Sequence, residues 1–66
     1  MKKELIKASK LHFEAHIEKH KMNVEVILAN PTALHGHTDV MDAIEKELAE
    51  MANYDDKLEM LNKYFK

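Results

Sequence analysis

The sequence predicts an all-α protein, an antiparallel two-helix hairpin that dimerises into a four-helix bundle. Three observations predict it. The only Pro and the only Gly, Pro31 and Gly36, stand close together near the middle of the chain, and they are the strongest local breakers of regular structure. Long segments free of both lie on either side, with apolar residues recurring at helical spacing. The chain has 66 residues and no Cys, so it is one small unit without a disulfide or a cysteine-bound metal as a staple. A core of that size rarely supplies more than about 3–5 kcal/mol.

The first helix is expected over about residues 2–29. Its charged residues (Lys3, Lys7, Lys10, Glu14, Glu18, Lys21, Glu25) gather on one side at about 100° per residue. The opposite side holds Leu5, Ile6, Ser9, His12, Phe13, His16, Ile17, His20, Val24 and Ile27. Three histidines thus stand four residues apart on one face, and Ser9 and Asn23 extend that polar seam. A smaller apolar strip, Ala8, Leu11, Ala15, Met22 and Val26, flanks it. The β-branched run Val24-Glu25-Val26-Ile27 continues the helical period and is read as helix.

The stretch from Asn30 to Thr38 carries turn chemistry. Pro31 pushes Asn30 out of the α region and should end the first helix. Thr38 or Asp39 can cap the next one, and Asp39 with Asp42 places negative charge at its positive end. The loop is therefore expected over about residues 30–38. His35 and His37 flank Gly36 there and are read as exposed loop residues.

The second helix is expected over about residues 39–64. Ile44, Met51, Leu58 and Phe65 recur every seven residues. Met41, Leu48, Asp55 and Asn62 recur three positions earlier, as the other column of a coiled-coil seam. Tyr54, Met60 and Tyr64 fall outside that seam. Both helices are apolar over a wider arc than one neighbour covers, so a homodimer is expected. Its interface residues are Phe13, Ile17, Val24, Ile44, Leu48, Met51, Leu58 and Phe65.

Folding the hairpin pairs residues whose numbers sum to roughly 69, which brings Asp55 level with His12 and His16. The leading expectation for this polar seam is a buried His–Asp layer that fixes register. The alternative is a zinc or nickel site using His12, His16, His20 and Asp55, because histidines at i and i+4 can share one ion with a facing carboxylate. Otherwise no cofactor is expected. A row of close imidazoles also implies a response to acid.

Several function classes are disfavoured. Ten Lys/Arg against twelve Asp/Glu gives a net charge of −2, the wrong sign for a dedicated nucleic-acid binder. A small basic patch is still expected where Lys2, Lys3 and Lys7 approach Lys63 and Lys66. No run of about 18 apolar residues is present to span a membrane, and Met1-Lys2-Lys3-Glu4 leads into no apolar stretch of a secretory signal. Glu47 with Glu50, and Asp56 with Glu59, have a spacing that can hold magnesium, but such pairs are routine on solvated helices. No phosphate loop or nucleophile constellation accompanies them, so no catalytic residue is assigned and a non-enzymatic role is expected.

The loop from Asn30-Pro31 to Asp39, the segment Met41-Asp42-Ala43-Ile44-Glu45-Lys46-Glu47-Leu48 and the segment Asp56-Lys57-Leu58-Glu59-Met60-Leu61-Asn62-Lys63-Tyr64-Phe65 carry a resemblance. They resemble short uncharacterised helical proteins of tailed bacteriophages of marine bacteria, including cyanophages. The resemblance implies a setting and no site residues: a small phage-encoded protein in the cytoplasm of an infected bacterium. Its partners would be itself and a phage or host protein.

Overall fold

The structure, a computed structural model, describes residues 1–30 and 39–66. The Pro31 stop, the Thr38 cap and the loop histidines His35 and His37 lie outside the described residues. Two helices make the fold: α1, Lys2–Ala29, and α2, Val40–Tyr64. They pack against each other as a hairpin, and no strand occurs among the described residues. No helix among them is long and apolar enough to cross a membrane.

Both helices start and stop where local chemistry directs. Neither contains Gly or Pro, so no residue breaks the i→i−4 ladder or exacts a large propensity penalty. α1 closes at Asn30, whose backbone leaves the helical region at φ −148°, ψ 74° while its N–H still donates to the Val26 carbonyl. α2 opens on Asp39, whose carboxylate accepts from the backbone N–H of Met41 at 2.8 Å and of Asp42 at 3.3 Å. This satisfies two of the donors that a helix start leaves unpaired. Asp42 in the first turn and Lys63 in the last complement the helix dipole.

The seam of α2 is rotated from the one the heptads predict. Ile44, Met51 and Leu58 face α1, half-buried as expected, but the second column is Val40, Glu47, Tyr54 and Leu61. The predicted column of Met41, Leu48, Asp55 and Asn62 is exposed throughout. The physical reason is polar satisfaction. Turning Asp55 and Asn62 inward would desolvate two polar groups. The column actually used brings in one carboxylate, the half-buried Glu47, and α1 supplies hydrogen bonds for it.

The core is thin. Ile27, 9% exposed, is the one buried residue among those described. Of the eight residues expected at a dimer interface, Phe13, Ile17, Val24, Ile44, Met51 and Leu58 are half-buried, while Leu48 and Phe65 are exposed. The hairpin is a rod of 48 × 15 × 15 Å. Its radius of gyration is 15.0 Å, against about 11 Å for a compact chain of this length.

Candidate functional site

The polar seam of α1 meets α2 in two adjoining layers. In the first, Glu47 bridges two side chains of α1. Its Oε2 lies 2.7 Å from His20 Nδ1 and its Oε1 accepts from Asn23 Nδ2 at 2.8 Å. The His20 and Glu47 side chains are 12% and 22% exposed. The hydrogen bond from His20 holds the Glu47 carboxyl below its ordinary value of 4.5, against the opposing effect of burial and with help from Asn23. An ionised carboxylate only accepts, so Nδ1 of His20 carries the hydrogen and donates it.

The second layer is aromatic. Tyr54 on α2 lies flat on His16, with ring centroids 4.4 Å apart and planes 11° from parallel. His20 lies nearly parallel to Tyr54, with planes 15° apart and centroids at 6.2 Å, and Phe13 and His12 approach its ring at 6.3 and 6.4 Å. His12 meets His16 edge-on at 4.5 Å. Lys57 Nζ stands 4.9 Å from the Tyr54 ring centroid, within range of a cation–π contact. Nδ1 of His16 is buried with no hydrogen-bond partner among the described residues. Burial, then the nearby charges of His12, Lys19, His20 and Lys57, lowers the His16 imidazole below its ordinary value of 6.5.

These layers correct the expected site. The three histidines do line one face, but the carboxylate that meets the row is Glu47, at His20. Asp55 is exposed and borders a shallow cleft with Ile17, Met51 and Ala52. Among the described residues, no three or more His, Asp or Glu side chains gather so as to hold a metal. Glu47 faces His20 and Asn23, so it does not form the outward-facing pair with Glu50 that magnesium would need. Tyr54, expected outside the seam, stands in the aromatic layer. The pairs His16–Tyr54 and Asn23–Glu47 sum to 70 and His20–Glu47 to 67, so the register rule alone points to Glu47 and Tyr54 once the other column is considered.

The wider clefts lie elsewhere. One of about 650 Å³ opens at the end of the rod between Met1, Leu5, Ile6, Leu61 and Phe65. Beside it, Lys2, Lys3, Lys7, Lys10 and Lys66 wall a second of about 380 Å³. Lys63 borders a different cleft with Asp55 and Glu59, so the expected basic patch assembles without it. No histidine lines any of these clefts. Along the histidine row, the seam packs and pairs the two helices. Comparison with protein-family models, curated proteins and solved structures returned no match.

Proposed function

We propose that this chain is a non-enzymatic helical interaction protein that works as a homodimer, two hairpins completing one four-helix bundle. One observation carries the reading: among the described residues only Ile27 is buried, while Leu5, Met22, Val26 and Met41 are each more than half exposed. The accessible surface is 5343 Å² for a 7.7 kDa chain. A folded monomer of that mass exposes about 4,300 Å². The excess of about 1,000 Å² is close to the ~800 Å² each partner buries in a standard interface. A second hairpin supplies the wall that two helices lack. The setting implied by the phage resemblance, a bacterial cytoplasm during infection, supplies a phage or host protein as a further partner.

Light scattering coupled to size exclusion tests this directly. The reading expects a helical species of twice 7.7 kDa at micromolar concentration. A folded species of 7.7 kDa overturns it.

A further inference from the structure

The exposed apolar side chains are not spread evenly. On α1 and its cap, Met1, Leu5, Leu11, Met22 and Val26 are 58–86% exposed. At 100° per residue they fall within an arc of about 120°, and the strip runs about 38 Å along the helix. Leu28 alone of the large exposed apolar residues on α1 lies off it. On α2 the exposed Met41, Leu48, Met60, Tyr64 and Phe65 point around most of the circumference and form no strip. The missing wall therefore belongs on this flank of α1, about 100° around the helix from the inward-facing Ile27.

We propose that this face is the dimer seam and that α1 packs antiparallel on α1 of a second copy. The inference rests on the homodimer reading and adds to it the face, direction and register. Four of the five stand in two heptad columns, Leu5, His12, Lys19 and Val26, and Met1, Ala8, Ala15 and Met22, with Leu11 beside them. Antiparallel seams set one column against the other. In one register Leu5 lies opposite the partner's Met22 and Val26 opposite the partner's Met1. His12 and Lys19 then lie over the partner's Ala15 and the partner's Ala8. Large apolar residues meet at both ends, and the polar residues sit over small ones, with room for Lys19 to carry its ammonium out to water. A parallel seam stacks Lys19 on the partner's Lys19, like charge on like charge, and aligns the two helix dipoles unfavourably.

The chain has no Cys, so single substitutions give a clean cross-linking test. Leu5→Cys and Met22→Cys change exposed residues, and helicity by circular dichroism checks that each variant folds. Under mild oxidation the mixture of the two variants should give a disulfide-linked species of twice 7.7 kDa. Each variant alone should not, because position 5 of one copy and position 5 of the other lie about 25 Å apart along the seam. A Leu48→Cys variant on α2 should link to neither. If each variant links to itself and the mixture gains nothing, the seam is parallel and the proposal fails. If the protein is dimeric but none of these links forms, α1 is not the seam. If the unmodified protein is monomeric by light scattering, the homodimer reading itself fails.

Discussion

His16 of α1 and Tyr54 of α2 stack face to face, with centroids 4.4 Å apart and planes 11° from parallel. This contact joins the helices where the histidine row runs, and it uses the flat face of Tyr54 while Lys57 attends the same ring. Replacing Tyr54 by Leu keeps an apolar side chain and removes the stack. Tyr54→Leu should lower the urea midpoint clearly, whereas Tyr54→Phe should stay close to the parent, because the ring and not the hydroxyl makes the contact. Equal midpoints for the two variants would remove the stack from the account.

Glu47 holds His20 and Asn23 at once. Glu47→Ala leaves both donors without their acceptor, and an unsatisfied, largely buried group costs about 1–3 kcal/mol. Glu47→Gln keeps an acceptor and should lose less. A double-mutant cycle of Glu47→Ala with His20→Ala should return a coupling of about 0.5–3 kcal/mol. Additive effects would mean the bridge contributes nothing to folding.

Acid should destabilise the protein in two stages. His16 is faced by His12, Lys19 and His20 on α1 and by Tyr54 and Lys57 on α2, and burial with these charges sets its imidazole below 6.5. The unfolded chain therefore binds that proton first. The stability linked to His16 is fully present above about pH 6.5 and is lost as pH falls through the lower folded value. Glu47, lowered from 4.5 chiefly by its hydrogen bond from His20, follows the same sign further down. Its contribution is present above about pH 4.5 and disappears as the carboxylate is protonated. Urea midpoints measured across this range should fall in two limbs, and His16→Leu should flatten the upper one. A midpoint that rises on acidification would contradict the assignment.

Asp39 caps α2 through two backbone N–H groups. Asp39→Ala should cost about 1 kcal/mol and Asp39→Asn much less, read from thermal unfolding at fixed concentration. An unchanged midpoint for Asp39→Ala would show that the first turn of α2 frays at no cost.

The helices were legible because Pro31 and Gly36 are the only breakers and stand together, and because Asp39 is a residue type that satisfies orphan donors. The seam was only half legible. Ile44, Met51 and Leu58 can pair with a column three residues before them or with one three residues after them, since a heptad alternates steps of three and four. Apolar content favoured Met41 and Leu48. The deciding fact lies on the other helix, where His20 and Asn23 offer two donors that Glu47 answers and Asp55 does not. Single-helix periodicity carries no information about that partner, so it puts Asp55 in a seam that Glu47 and Tyr54 occupy.

The central claim is that a single hairpin is incomplete and a second copy finishes its core. Thermal unfolding followed by circular dichroism over a wide range of protein concentration tests it most directly, because association coupled to folding makes the midpoint depend on concentration. The account predicts a melting temperature that climbs steadily with concentration. A midpoint that stays fixed from the most dilute to the most concentrated sample would contradict it.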